Sequence, residues 1–165
     1  MGNTIGLVMD HGYAGAYSRQ PDQIIDTRFA GSGGVAFGQA VKYSSGAVVG
    51  FGAGDAATAF VGVAAREVKS SLNYLTGTAG YAENEPVPVF KRGRINVKCN
   101  VGTPALNGDV YVRIAANALI PDGVVGGFEA SSDSTNSVKL TNAKWAGPAD
   151  ANGIAELEIF NAINA

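Results

Sequence analysis

This sequence predicts an all-β protein, an antiparallel β-barrel or β-sandwich preceded by an extended N-terminal arm. Three observations carry that expectation. Apolar and polar side chains alternate along residues 81–114 (YAENEPVPVFKRGRINVKCNVGTPALNGDVYVRI), the period of a strand with one face on a core. Short apolar runs recur through the rest of the chain, each closed by turn residues, which is the spacing of a sandwich or barrel. Glycine supplies 23 of the 165 residues without the three-residue period of a collagen, so many tight turns or bulges are implied.

The N-terminal stretch comes first. Residues 1–34 hold glycines at 2, 6, 12, 15, 31, 33 and 34 and only short apolar runs, such as 5–9. Such a segment cannot bury itself, so it is expected to be an extended arm laid on something else, in front of a β domain spanning 35–165. A short helical turn over 21–26 fits Pro21 in the first turn and Asp22 near the N-terminus.

From residue 35 the reading is strand after strand. The apolar runs are 35–43, 47–51, 60–68, 87–98, 109–114, 126–130, 138–145 and 154–160. Between them lie the turn signals Ser44-Ser45-Gly46, Gly52-Ala53-Gly54-Asp55, Asn107-Gly108-Asp109, Pro121-Asp122-Gly123 and Asp150-Ala151-Asn152-Gly153. Residues 56–59 suit a helix by propensity but are too few to make one stand alone. Residues 131–137 (SSDSTNS) are polar and aperiodic, an exposed loop. No repeat of solenoid or propeller length is present.

The strand over 87–98 sorts its side chains by parity. Val87, Val89, Lys91, Gly93, Ile95, Val97, Cys99 and Val101 are expected on the core. Pro88, Phe90, Arg92, Arg94, Asn96, Lys98 and Asn100 are expected toward water or a partner. Arg92, Arg94 and Lys98 then share a face, either solvated or pairing across a subunit boundary with a neighbour's carboxylates. In the last strand Ala155, Leu157 and Ile159 point inward, leaving Glu156 and Glu158 on an exposed face that discourages aggregation.

Composition bounds the function. A content of 46% hydrophobic residues and a mean hydropathy of +0.09 suffice for the core of one domain. Only 16% of residues are charged and the net charge is −2, so no positive surplus exists to hold a phosphate backbone, and nucleic acid is not an expected partner. No window approaches the ~18 apolar residues of a spanning helix. The first 30 residues lack a basic segment followed by an apolar one, so neither a membrane partner nor export by a signal peptide is expected. Cys99 is the single cysteine, which excludes an intrachain disulfide and a Cys-rich zinc site; its parity predicts a buried, inert thiol.

No constellation for catalysis emerges. His11, the single histidine, stands in the arm without a positioned nucleophile or further ligands. Gly31-Ser32-Gly33-Gly34-Val35-Ala36 matches G-x-G-x-x-A, but a dinucleotide site needs a strand before it and a helix after it, and strand-like residues follow here. The phosphate-cradling G-x-x-x-x-G-K-[ST] loop is absent. Trp145 and the tyrosines are scattered rather than arranged as a stacking platform. The sequence therefore predicts no enzyme, no cofactor, no metal site and no catalytic residue.

Taken in order, several pieces of the chain resemble the bacteriophage capsid structural cement proteins, also called head decoration proteins. They are Gly62-Val63-Ala64-Ala65-Arg66, Tyr81 with Glu85-Pro86-Val87-Pro88-Val89, Gly93-Arg94-Ile95-Asn96-Val97, and Gly108-Asp109-Val110-Tyr111-Val112-Arg113. Ala143-Lys144-Trp145 and the closing Gly153-Ile154-Ala155-Glu156-Leu157-Glu158-Ile159 continue the series. The glycine-rich arm and Val35-Ala36-Phe37-Gly38-Gln39-Ala40-Val41 fit as well.

The resemblance implies a non-enzymatic virion protein on the capsid exterior. It implies a homotrimer on local threefold positions that clamps adjacent capsomers of the major capsid protein after expansion. The family has no catalytic or ligand motif to transfer. Many shallow contacts summed over a lattice suffice for such a role, and an arm widens each footprint. The residues expected in the capsid or subunit interface are Ile5, Leu7, Val8, Tyr13 and Tyr17 from the arm, with Arg92 and Arg94. A tail or baseplate accessory subunit, and a particle-displayed carbohydrate or host-surface binding module, are the alternatives.

Overall fold

The computed structural model describes residues 10–67 and 80–161. Eleven strands carry nearly all the regular structure: β1 Tyr17–Phe29, β2 Val35–Ala36, β3 Ala40–Ser44, β4 Ala47–Gly50, β5 Gly62–Ala64, β6 Gly80–Tyr81, β7 Pro86–Val101, β8 Asp109–Arg113, β9 Phe128–Glu129, β10 Ser137–Trp145 and β11 Ile154–Ile159. The all-β expectation holds. Each of the eight apolar runs of the sequence overlaps at least one of these strands. Residue 68, the end of one run, lies outside the described residues.

β7 is the spine because its 16 residues serve both halves of one nine-stranded sheet. Its C-terminal half closes a small barrel: β7 pairs with β11, β11 with β10, β10 with β8, β8 with β9, and β9 returns to β7 in parallel through Cys99 and Phe128. Closure removes two sheet edges that would otherwise expose unpaired backbone. Its N-terminal half pairs with β1 on one side and β5 on the other, and β3 and β4 extend the β5 side. A parallel bridge from Ala30 to Val48 brings the chain just past β1 against β4.

Two apolar clusters fill these layers. The larger joins Phe51, Phe60, Phe90, Ile95, Val97, Phe128, Leu140, Trp145 and Leu157 with their neighbours; the smaller joins Ala30, Val35, Val41, Val48, Ala64, Tyr81, Val87 and Val89. Phe60 stands edge-on to both Phe51 and Phe128, each with ring centroids 6.3 Å apart, a favourable arrangement of aromatic quadrupoles.

The membership of these clusters corrects the parity expectation for β7. Val87 and Val89 face the smaller cluster while Phe90, on the opposite parity, is fully buried in the larger one; beyond Gly93, Ile95 and Val97 face the larger cluster too. The alternation flips at Gly93, whose φ of 108° is in the left-handed region. A Cβ there would collide with the carbonyl oxygen of Asp22 on β1. Pro88 and Phe90 are thus buried, not outward, because this half of the strand has a core on each face.

Residues 21–26 form no helical turn. They belong to β1, which follows β7 from Tyr17 opposite Ile95 to Phe29 opposite Pro86, with irregularities between Tyr17 and Ile25. Pairing on β7 supplies backbone partners that an isolated turn of helix lacks. From residue 17 onward this stretch is accordingly extended and lies on β7. The G-x-G-x-x-A segment runs from the turn after β1 into β2 and is followed by β3, not a helix. Residues 57–59 make a short 3-10 turn.

Ser45 and Gly46, with φ of 51° and 82°, make the two-residue hairpin between β3 and β4 that Ser44-Ser45-Gly46 predicts. Asp150 closes the β10–β11 turn, its Oδ1 accepting the N–H groups of Asn152 and Ile154 at 2.9 Å each.

Candidate interaction surfaces

Arg94 lies between Arg19 of β1 and Glu158 of β11, opposite both across β7. Its Nη2 donates to Glu158 Oε2 at 3.0 Å and its Nη1 is 3.5 Å from Glu156 Oε2. Glu156 also accepts from Ser18 Oγ at 2.5 Å and from Arg19 Nε at 2.7 Å. One carboxylate thus ties β1 to β11 across the spine. Glu156 is buried, contrary to the expected exposed face, because these three donors replace the water it gives up. Burial pushes its carboxyl pKa up, but the hydrogen bonds from Ser18 and Arg19 and the charges of Arg19 and Arg94 outweigh that and hold it below the usual range.

Arg92 pairs with Asp22 at 3.3 Å, and both side chains are largely in water. Lys91 and Arg28 converge on Asp26 at 3.4 and 3.0 Å. The carboxylates facing Arg92 and Arg94 therefore come from this chain itself, on β1 and β11. Gly93 with Arg19, Asp22, Arg92, Arg94 and Phe160 lines a shallow cleft on this face.

The remaining candidates separate. Tyr17 packs inward with its ring 5.8 Å from Phe90 and donates to Glu67 at 3.3 Å; burial, then the charge and hydrogen bond of Glu67, push its phenol up to about 12. Tyr13 is 63% exposed, lying over the Arg66 guanidinium at 4.5 Å. Ile5, Leu7 and Val8 fall outside the described residues. His11 pins the arm through its backbone, its N–H donating to Asp150 Oδ2 at 2.8 Å and its carbonyl accepting from Asn96 Nδ2 at 2.6 Å. Cys99 is half-buried rather than buried, and burial pushes its thiol pKa up, so it stays protonated.

Two features were not singled out from the sequence. The first is a set of exposed apolar side chains, with Ile24 and Phe29 on β1 and Leu106, Leu119 and Val124 on loops. The second is a buried ion cluster. Arg113 and Glu129 are both fully buried and joined at two points, Nε to Oε1 and Nη2 to Oε2, the latter at 3.1 Å. Arg113 Nη1 also donates to Asp133 at 2.7 Å, and Asn117 donates to the same carboxylate. A Cβ on Gly123 would collide with the guanidinium. The cluster thereby fixes the loop between β8 and β9, which carries Leu119 at 90% exposure and Val124 at 55%.

Among the described residues no group of three or more His, Cys, Asp or Glu side chains could hold a metal ion, and no helix is long and apolar enough to cross a membrane. What this surface offers is charge pairs, exposed apolar points and shallow clefts, the material of a protein contact.

Comparison with known proteins gives that surface its context. Residues 1–160 match the family described as structural cement protein (E217 gp24/Pam3 gp6). The chain belongs to that family. The phage cement protein also shares its fold, at a TM-score of 0.74 and 17% identity over 97% of both chains, with a protein of the solved structure titled "The capsid of Myoviridae Phage XM1". No curated protein matches it in sequence. A structural cement protein is a virion component whose role is to stabilise the capsid and whose partners are capsid proteins.

Proposed function

We propose that this cement protein binds the outside of the expanded icosahedral shell as a homotrimer at local threefold positions, clamping neighbouring capsomers of the major capsid protein and taking no part in catalysis. The family match across almost the whole chain carries this reading. Physical features of the chain support it. Its charges are spent mainly on internal pairs, so adhesion rests on many modest contacts, which repetition over a lattice turns into avidity. Rigid loops bearing Leu119 and Val124 cost little ordering entropy on docking. Tyr13 and Arg92, both exposed, are contact residues in this reading, together with Ile5, Leu7 and Val8 of the arm; Arg94 and Tyr17 support the surface from within.

Co-sedimentation tests the proposal. Purified protein mixed with expanded shells stripped of it should pellet at a saturating, fixed ratio to capsid protein and raise the temperature at which the shells rupture. Failure to pellet, or pelleting without any gain in shell stability, would remove the proposed role.

A further inference from the structure

Eleven of the twelve lysines and arginines lie among the described residues, all but Lys69. Nine of them form ion pairs with carboxylates of this chain: Arg19, Arg28, Lys42, Lys91, Arg92, Arg94, Arg113, Lys139 and Lys144. Arg66 and Lys98 have no such partner among the described residues; Lys98 lines one groove, and Arg66 lies over Phe37 of the same groove's wall. The groove is lined by Ala14, Ala36, Phe37, Val124 and Val125, with Lys98 at its rim. Arg66 adjoins it through Phe37, its guanidinium lying over the rings of Phe37 at 5.6 Å and Tyr13 at 4.5 Å.

We propose that this groove is the docking site for an extended apolar segment of the shell protein flanked by carboxylates. Two properties point to that occupant. Most wall residues are small or apolar, with Gln39 and Asn100 the polar ones beside Lys98, and Val124 stands 55% exposed, leaving apolar surface open to a partner. Of the two cations not neutralised within the described chain, Lys98 lines the groove and Arg66 lies over its Phe37, so a carboxylate arriving there gains attraction that the nine paired cations cannot offer.

The groove is also built rather than incidental. Its three segments are tied together by backbone hydrogen bonds: Ala40 N–H to the Gly126 carbonyl at 2.9 Å, Gly38 N–H to Ala64 at 2.8 Å, and Arg66 N–H to Gly15 at 2.8 Å. Contact with both rings restrains the arginine, so less side-chain freedom is lost when a carboxylate binds it. This inference rests on the proposed capsid role and names the surface that fulfils it.

The test uses the full chain and expanded shells stripped of the protein. Wild type, Lys98→Glu, Arg66→Gln and the double variant are compared with Lys139→Gln, a change at an exposed cation paired with Asp109. The double variant should bind shells at least about tenfold more weakly, with a flatter salt dependence, while Lys139→Gln stays near wild type. Lys98→Glu alone, at an exposed position, should show a partial loss with an unchanged melting temperature, which separates docking from folding. Wild-type affinity and salt dependence in a folded double variant would overturn the groove assignment while leaving the capsid role standing. Loss of self-association with intact shell binding would also overturn it, by making a second copy the occupant. Absence of wild-type binding would overturn the capsid role itself and the groove assignment with it.

Discussion

Arg113 and Glu129 form a two-point ion pair in which neither side chain retains any exposed surface. Arg113 ends β8 and Glu129 ends β9, and the two strands are hydrogen-bonded through Tyr111–Glu129 and Val112–Phe128. The guanidinium fork uses its remaining nitrogen on Asp133, so one buried cation fixes both the β8–β9 loop and the start of the 131–137 segment. Burying these charges is costly, and the pair contributes less to net stability than to holding a single loop geometry.

Truncating the cation alone should expose that cost. Arg113→Met leaves the Glu129 carboxyl without its cation in the core and is expected to lower unfolding free energy by about 3–5 kcal/mol. Adding Glu129→Leu should recover a substantial part of the loss. Urea titrations of the three proteins check this, and an equal loss in the single and double variants would contradict it.

Gly93 should resist any side chain. Its left-handed φ and its closeness to the Asp22 carbonyl mean that Gly93→Ala must push β1 off β7 or strain the bulge, at a cost of about 2 kcal/mol or more. Amide exchange should quicken along β1, between residues 19 and 25, more than in the barrel. Unchanged exchange there would show that the contact yields without cost.

Arg92 and Arg94 should behave differently although they are neighbours on one strand. Arg92 faces Asp22 in water, so Arg92→Ala is expected to change stability by less than about 0.5 kcal/mol. Arg94→Ala removes a cation from buried Glu156 and should cost about 1–2 kcal/mol. Thermal melts of the two variants decide it, and equal shifts would contradict the assignment. Since Arg92→Ala leaves the fold intact, it is the cleaner probe of a contact outside the chain.

Acid should loosen the β1–β11 tie. The Glu156 carboxyl is held below its ordinary range in the folded protein, so the unfolded chain binds the proton more readily. Its contribution is full above about pH 5 and is lost as pH falls through the ordinary carboxylate value and below. Glu156→Gln should be less stable than wild type at pH 7 and lose less stability between about pH 5 and pH 3. Parallel slopes in urea titrations across that window would show that Glu156 is not the group responsible.

Much of the fold was legible because apolar runs closed by turn residues mark strands even where both faces are buried, as in β11, where residues 154–157 are all buried. Alternation failed in β7, where the period cannot tell which of many glycines takes a left-handed φ, and Gly93 exchanges the faces. β1 was legible only as an extended arm. The stronger signal was that glycines stop at Gly15 and resume at Gly31, leaving Ile24, Ile25, Thr27 and Phe29 in a glycine-free run suited to a strand.

The charged residues divide in the same way. Spacing placed Arg92 and Arg94 on one face, either solvated or meeting a neighbour's carboxylates; that Asp22 and Glu158 of this chain pair with them depends on which strands flank β7. Glu156 looked solvated because its neighbours in sequence are unremarkable; its burial depends on Ser18 and Arg19, brought close only by β1 pairing. Arg113 and Glu129 left a trace in the sequence, a charge at the end of one apolar run and another inside the Phe128-Glu129-Ala130 run, the pattern of a buried pair.

Cryo-electron microscopy of the particle that carries this protein tests the capsid-clamping role most directly. The account predicts density fitting the β7-centred barrel on the outer surface of the expanded shell, three copies around each local threefold position and each touching more than one capsomer. Density for the barrel confined to the tail or baseplate, with a bare shell, would contradict it.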